Sequence, residues 1–361
     1  MSEAPPPRAR RSTTKRVVQA VVSLALVVGI FWFAIPRIAD YHDVWRTIQD
    51  LTPLELWSLV AATIFNLFTY WLANMAALPG LRLGQAAVVT QTTTSVANTI
   101  PAGGAIAVGL TYQILGSWGF AASAISLYVL VTGIWNVFMK LGLPIVSLGL
   151  LAITGELTSV LVVAAMIGVV VLLVAVSLFG LVLWKKAFAR RIGDGLGAAA
   201  SWFLRIVRRP PVSGWGETAV RFRKQTIQLV ARRWPWLTFT TVLSQLALYF
   251  VLLLCLRNVG ISQQEVSWAQ VLAVFAFGRL IAALPITPGG LGVIELGYIG
   301  GLVAAGGNEA QVVAAVLLFR ALTYGLQIPL GAFTYVIWRV KGSWRRAPGS
   351  QERLGIPVAG E

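Results

Sequence analysis

Charge and cysteine are what this sequence has little of. Only 12% of the 361 residues are charged, against about 25% in soluble domains. One cysteine, Cys255, and one histidine, His42, are present, which excludes an intramolecular disulfide and argues against a structural metal site. Paired carboxylates, a Ser-His-Asp set and a Walker A sequence for ATP are also missing. The sequence therefore predicts a protein that is not an enzyme and needs no cofactor.

Apolar residues are abundant instead and make up 57% of the chain, against roughly 45–50% in soluble domains. Uncharged stretches cover residues 17–36, 56–81, 83–139, 157–184 and 234–256. Each reaches the ~20 residues that a helix needs to cross a bilayer. We therefore expect an all-α polytopic membrane protein, with the first stretch retained as a span because no signal-peptide cleavage site follows it.

The basic residues predict the orientation in the membrane. Five Lys and Arg lie in residues 1–16, twelve between Lys185 and Arg233, and five from Arg339 onward. The positive-inside rule places these three segments, and so both termini, on the cytoplasmic side of the cytoplasmic membrane. Position 215 is then inside and position 262 outside. The net charge of +16 is thus a topology signal that also attracts anionic lipid, and we expect no nucleic-acid partner.

The predicted organisation has five parts. They are a disordered cytoplasmic N-terminus at 1–16, a first membrane half at 17–184, a basic cytoplasmic segment at 185–234, a second membrane half at 235–340 and a cytoplasmic tail at 341–361. In the basic segment, Trp202, Phe203, Ile206 and Val207 alternate with arginines. That spacing is typical of an amphipathic helix on the inner leaflet, and a solvated linker is the alternative.

Two apolar pieces of the second half are too short for ordinary spans. Residues 268–284 and 293–306 flank a proline-glycine break and would form helices of about 25 and 21 Å, whereas the hydrocarbon is ~30 Å thick. We predict a re-entrant helical hairpin at 268–306 and a second one at 84–116. The residues expected at the two tips are Pro101, Gly103, Gly104, Pro285, Pro288, Gly289, Gly290 and Gly292.

An internal repeat relates the two hairpins. Residues 100–112 align without gaps to residues 286–298, with five of thirteen positions identical. The first hairpin follows a span that runs inward, and the second follows a span that runs outward, so they enter from opposite sides. Opposed copies form an inverted-topology repeat, which is typical of transporters with a site at the bilayer midplane. The fold prediction is about six spans plus two opposed re-entrant hairpins.

Charged residues at membrane depth are the main candidates for function. Glu295 is the only acidic residue predicted there, and Arg279 and Arg320 are expected near the same depth, about 16 Å from the outer surface. A carboxylate between two guanidinium groups leaves one net positive charge, which suits a phosphate or carboxylate ligand. The alternative is an ion cluster that only fixes the position of the hairpin.

The first half contributes polar candidates. Residues 90–95 are six consecutive polar residues, and Asn98 follows them. We expect them either to line a cavity, with Gln91 and Asn98 binding substrate, or to bond back into their own helix. Lys140 is the only charge in this region, and its side chain could also reach an interface.

The run at 284–295, Leu-Pro-Ile-Thr-Pro-Gly-Gly-Leu-Gly-Val-Ile-Glu, followed by Phe319-Arg320, resembles the flippase-like membrane family. That family includes the transmembrane region of lysylphosphatidylglycerol synthases and the YbhN-like proteins, and the resemblance covers residues 17–340. It implies movement of lipids between leaflets, with aminoacylated phosphatidylglycerol or polyprenyl-phosphate-linked lipids as cargo.

The expected partners are membrane lipids. A rival prediction is a non-transporting protein that presents a lipid to a separate glycosyltransferase or lipid synthase. Aminoacyl lipid synthases append a large soluble domain, whereas only residues 341–361 follow the last predicted helix, so we expect no synthase activity in this chain.

Overall fold

Helices form the described part of the chain. The computed structural model describes residues 41–100, 103–155, 159–187, 215–282 and 290–341, together with residues 190, 191, 194, 195, 197, 198, 201 and 287. No strand occurs within these residues. The helices are α1 Tyr41–Gln49, α2 Pro53–Ala77, α3 Leu83–Thr99, α4 Gly103–Ser117, α5 Ala122–Thr154, α6 Ser159–Trp184, α7 Trp215–Asn258, α8 Trp268–Ile281, α9 Val293–Ala304, α10 Glu309–Arg320 and α11 Gln327–Val340.

Within the described residues, four stretches of helix are long and apolar enough to cross a bilayer. They are α2, α5, the part of α7 at Ala231–Asn258, and α10 with α11 as one helix at Glu309–Val340. Helix α6 adds a shorter apolar stretch, Val169–Leu181, with Val170 and Leu173 each 59% exposed. Apolar side chains on the outside of a helix bundle are suited to lipid, and the chain is an all-α, multi-pass membrane protein. The predicted first span and N-terminus, the amphipathic stretch at 202–209 and residues 342–361 lie outside the described residues.

Short polar signals set where the helices begin. Thr52 caps α2 by accepting from the Glu55 amide, while the Glu55 carboxylate accepts from the Thr52 amide. Ser267 and Gln270 make the same reciprocal pair at α8, and Asn308 caps α10. These caps satisfy amides that have no partner inside the helix, so the chain enters each helix at a defined residue.

Helix α7 is longer than the sequence predicts. It begins at Trp215 and runs for 44 residues, with Pro235 inside it, so residues 215–234 are continuous with the span predicted at 235. Arginine and lysine are good helix formers, and the helix therefore does not end where the charges begin. The Arg223 guanidinium donates to the Trp184 carbonyl at 2.9 Å, which covers the C-terminal end of α6.

Helix α3 packs against α4, and α8 packs against α9. These are the segments predicted as hairpins. Glycines allow the close approach of α8 and α9: a side chain at Gly278 would meet the Tyr298 ring, and one at Gly301 would meet Val274. A side chain at Gly297 would likewise meet Ile281. Whether either pair is re-entrant stays a prediction.

Helices of the first half pack against helices of the second half. Helix α2 of the first half packs along α7 of the second half. Helix α3 of the first pair packs on α11, and α8 of the second pair packs on α5. One helix of each pair therefore lies against a helix of the opposite half. This packing brings the second pair and the end of the first pair to the same part of the fold.

Candidate functional site

A buried ion pair joins α9 to α10. Glu295 is 0% exposed, and its Oε1 accepts from the Arg320 Nε at 2.6 Å. The Arg320 side chain is 14% exposed. Charges in an apolar interior need such a partner to offset the loss of water. Of the two arginines that the sequence offered as partners, the structure pairs Glu295 with Arg320.

The turn before α9 positions Glu295. Gly290 and Gly292 have φ of 71° and 82°, a left-handed region that side chains disfavour. The Thr287 hydroxyl donates to the Leu291 carbonyl at 2.8 Å, and the Gly290 amide donates to the Thr287 carbonyl at 3.0 Å. The turn is thereby closed, and α9 starts with Glu295 in its first turn. A carboxylate there is favoured by the helix dipole.

Arg279 lies in the last turn of α8 and stands apart from this ion pair. Among the described residues, its buried Nε has no hydrogen-bond partner, and neither does the buried Oε2 of Glu295. Tyr298 on α9 interacts electrostatically with Arg279, Arg320 and Glu295, so all three charges lie in the neighbourhood of this residue. The predicted cluster is thus assembled, with one guanidinium paired and the other retaining a buried donor that nothing in the described chain satisfies.

Lys140 adds a third cation. It lies in the middle of the 33-residue helix α5, is half-buried and interacts electrostatically with Arg279 on the neighbouring helix α8. Like charges repel each other most strongly in an apolar environment. The sequence did not reveal that the helices of Lys140 and Arg279 pack together.

A π turn follows Arg320 directly. Residues Ala321–Gly325 form it, and the Leu326 amide bonds to the Ala321 carbonyl, five residues back, at 2.8 Å. Single π turns inside α-helices are frequent at functional sites. The turn brings Tyr324 under the guanidinium, with the carbon of that group 4.5 Å from the ring centroid. Sequence reasoning missed Tyr324, because a tyrosine in an apolar run has no distinguishing pattern.

Asn98 reaches the cluster through its backbone. The Tyr324 hydroxyl donates to the Asn98 carbonyl at 2.7 Å. The sequence predicted a role for the Asn98 side chain, whereas the contact is made by the main chain at the end of α3. This bond links the first helix pair to the residue beside Arg320.

Gln91 lies where α3 crosses α11. Gln91 is 3% exposed, its Oε1 has no partner among the described residues, and a side chain at Gly331 would meet its carbonyl. Thr92 and Thr334 share a hydrogen bond of 3.0 Å across the same crossing. Gln91 therefore belongs to a helix contact, and no described contact connects its side chain to the charged cluster.

The polar run at 90–95 both bonds back into its own helix and lines a cavity, which are the two alternatives that the sequence left open. Thr93 donates back to the Val89 carbonyl at 2.7 Å. Thr90, Thr93 and Thr94 also line a cavity of about 270 Å³ between α2, α3, α5 and α7. A second space of about 590 Å³ lies between α3, α4 and α11. Both predicted outcomes are thus found in the same stretch of helix.

The predicted tip residues divide into two sets. Gly103 begins α4, and a side chain there would meet the carbonyls of Val96 and Ala97, whereas Gly104 has open space around it. The tip residues outside the described part of the chain are Pro101, Pro285, Pro288 and Gly289. Within the described part, no cluster of His, Cys, Asp and Glu is suited to a metal ion.

The chain matches a protein-family model. A family model described as "Lysylphosphatidylglycerol synthase TM region" matches residues 20–331. That range includes the whole charged cluster, and it confirms the resemblance inferred from the sequence. A comparison with curated proteins finds no match.

Proposed function

Because the chain belongs to the family of the lysylphosphatidylglycerol synthase TM region, we propose that it moves an anionic lipid between the leaflets of the cytoplasmic membrane. The cargo is a phospholipid or a polyprenyl-phosphate-linked lipid. The observation that carries the proposal is the buried charged cluster, in which Glu295 pairs with Arg320 while Arg279 keeps a buried Nε without a hydrogen-bond partner in the described chain.

The charges of the cluster favour an anion. Lys140, Arg279 and Arg320 accompany the single carboxylate of Glu295, so the four side chains carry two net positive charges. Each charge alone costs roughly 2.5–3.5 kcal/mol at the centre of a membrane helix. A phosphate group bound among Lys140, Arg279 and Arg320 would offset that cost, and guanidinium groups bind phosphate with paired hydrogen bonds.

The exchange of contacts between the halves supports an inverted repeat. Helix α3 packs on α11 and α8 packs on α5, as expected if a two-fold operation relates the halves. With the basic segments inside, the two helix pairs enter from opposite sides as re-entrant hairpins, and both termini are cytoplasmic. Head groups then cross between the hairpins while acyl or prenyl tails stay in lipid. Alternating-access transporters use this arrangement with a site at the midplane.

The rival function is a non-transporting partner that presents a lipid to a glycosyltransferase or lipid synthase. Both functions need the charged cluster to bind a lipid, and neither assigns catalysis to this chain. They differ in autonomy, because only a carrier moves lipid by itself. A synthase or glycosyltransferase is a partner under either proposal.

Reconstitution tests the proposal. The purified full-length protein is placed in liposomes that contain a fluorescent phosphatidylglycerol, and leaflet exchange is measured without ATP. We expect faster exchange than in protein-free liposomes and in liposomes with Arg320→Gln. Exchange no faster than in protein-free liposomes, for several anionic lipids, would contradict transport and favour the rival.

A further inference from the structure

The cavity between α2, α3, α5 and α7 is polar and lies away from the ion pair. Its volume of about 270 Å³ is far larger than the ~15 Å³ that one water requires. The described residues that line it carry hydroxyl, amide and aromatic groups and no charged side chain. It is therefore suited to an uncharged polar group of some size.

One wall of this cavity is rigid and fully bonded. The Tyr128 hydroxyl donates to the Asn74 Oδ1 at 2.6 Å, and the Asn74 Nδ2 donates to the Thr90 hydroxyl at 3.0 Å. These bonds connect α5, α2 and α3. A satisfied buried network of this kind holds its members in one arrangement, so the wall is preformed.

Three other polar atoms at the cavity are unsatisfied within the described chain. The Ser244 Oγ, the Gln245 Oε1 and the Asn136 Oδ1 are buried and have no hydrogen-bond partner in the described chain. Ser244 and Gln245 are each only 3% exposed. All three residues line the cavity. Leaving a buried polar atom without a partner is costly, and such atoms usually have a partner in the working protein.

Two helices lead from this cavity to the charged cluster. On α3, Thr94 lines the cavity, and the Asn98 carbonyl bonds to Tyr324 beneath Arg320. On α5, Asn136 lines the cavity, and Lys140 interacts with Arg279. Each step is four residues, or about 6 Å along the helix. The polar cavity therefore lies one helical turn from the cationic cluster on both helices.

We propose that this cavity binds the uncharged, hydroxyl-bearing part of a lipid head group whose phosphate lies at the charged cluster. The inference rests on the proposed function and assigns the class of its cargo: a lipid whose phosphate carries a neutral polyol or sugar. Hydroxyl groups donate to the Asn136 and Gln245 amide oxygens and exchange hydrogen bonds with Ser244. The rings of Tyr70 and Trp135, which also line the cavity, provide flat apolar surfaces for the carbon face of such a group.

The test measures which head groups the purified full-length protein binds. Short-chain phosphatidylglycerol, phosphatidylinositol and a glycosyl polyprenyl phosphate are compared with short-chain phosphatidic acid, which has the phosphate and no further hydroxyl-bearing group. The readout is ligand-dependent thermal stabilisation in detergent. We expect at least one hydroxyl-bearing lipid to bind about tenfold more tightly than phosphatidic acid, as a few added hydrogen bonds allow. The three lipids distinguish glycerol, inositol and sugar as the source of the hydroxyls.

Two variants test the cavity directly. Gln245→Met and Asn136→Leu keep the side-chain volume and remove the amide, and each should reduce the affinity for the hydroxyl-bearing lipid to that for phosphatidic acid. Having two independent sites keeps the test decisive if one variant does not fold. Thr240→Val is the matched control, because Thr240 is buried on α7 and its hydroxyl bonds to the Trp236 carbonyl of the same helix.

Two results would overturn the inference. One is equal affinity of the unmodified protein for phosphatidic acid and for all hydroxyl-bearing lipids. The other is unchanged preference in both cavity variants, which would mean that the cavity holds only water. Failure of the proposed function looks different: the protein would then move no anionic lipid between leaflets in liposomes, whichever head group it prefers in detergent.

Discussion

Tyr324 and Asn98, which are 226 residues apart, are joined by a hydrogen bond of 2.7 Å. The hydroxyl comes from the π turn of the last helix, and the carbonyl comes from the end of α3. Because the Arg320 guanidinium lies over the same tyrosine ring, one side chain connects the first helix pair to the Glu295–Arg320 ion pair. A change at either end of this hydrogen bond is therefore expected to act on the same ion pair.

The first prediction concerns the ion pair. Glu295→Gln removes the carboxylate partner of Arg320 and leaves buried cations behind, which typically costs about 3–5 kcal/mol of folding free energy. We expect lower thermal stability and loss of leaflet exchange in liposomes. Glu309→Gln is the control, because Glu309 is an exposed carboxylate at the start of α10, and its loss should cost at most about 1 kcal/mol. Normal exchange by Glu295→Gln would refute a functional role for the pair.

A double variant separates function from structure. Glu295→Gln with Arg320→Gln removes both members of the pair, so neither member is left buried opposite a missing partner. Thermal stability should recover most of what the single variant loses, whereas leaflet exchange should stay absent because the head-group site lacks Arg320. Recovery of both properties would mean that the pair only holds α9 against α10.

The second prediction concerns Tyr324. Tyr324→Phe keeps the ring under Arg320 and removes the hydrogen bond to Asn98, at a cost of about 0.5–1.5 kcal/mol. We expect a marked drop in leaflet exchange together with this small loss of stability. Tyr249→Phe is a matched control, because the Tyr249 hydroxyl also donates to a backbone carbonyl, that of Trp268, at 2.9 Å. If both variants slow exchange equally, the Tyr324 bond has no special role in transport.

The sequence predicted the charged residues of the site because charge is rare in such an apolar chain. Glu295, Arg279 and Arg320 could be chosen by chemistry alone. The π turn could not be predicted, since a bond to the fifth residue back leaves no trace in composition. Tyr324 and the Asn98 carbonyl were missed for that reason.

The cavity was predicted only in part. The polar run on α3 indicated it, but its other walls come from α2, α5 and α7, where Asn74, Asn136 and Gln245 are single polar residues in apolar helices. Only their packing shows that they meet. Lys140 is similar, because its place beside Arg279 depends on the contact between α5 and α8 and on no local pattern.

The third prediction concerns the crossing of α3 and α11. A side chain at Gly331 would meet Ser95 and the Gln91 carbonyl, so Gly331→Ala forces the two helices apart, with an expected cost of about 1–3 kcal/mol. Gly300→Ala on α9 is the control, because a Cβ atom added at Gly300 would meet nothing within 4 Å. Alanine also favours a helix over glycine by up to ~1 kcal/mol. Thermal unfolding should thus show opposite signs for the two changes. Equal shifts would contradict the close crossing.

The fourth prediction tests orientation. Gln264 lies in the connection between α7 and α8, and Lys224 lies in the first half of α7; both are exposed. In a Cys255→Ala background, a membrane-impermeant thiol reagent added to intact cells should modify Gln264→Cys and spare Lys224→Cys. The unsubstituted protein is a control, because Cys255 is buried. The reverse labelling would contradict the cytoplasmic placement of the basic segment and of both termini.

The π turn amounts to one additional residue in an otherwise continuous helix from Glu309 to Val340. Each residue rotates a helix by about 100°, so the turn changes the direction of every side chain that follows it. Arg320 can then point to Glu295 of its own half, while Gly331 and Thr334 point to α3 of the other half. Deleting one residue within 321–325 would restore a regular α-helix and turn the second face away from α3. The one additional residue thus lets this helix contact Glu295 in its own half and α3 in the other half.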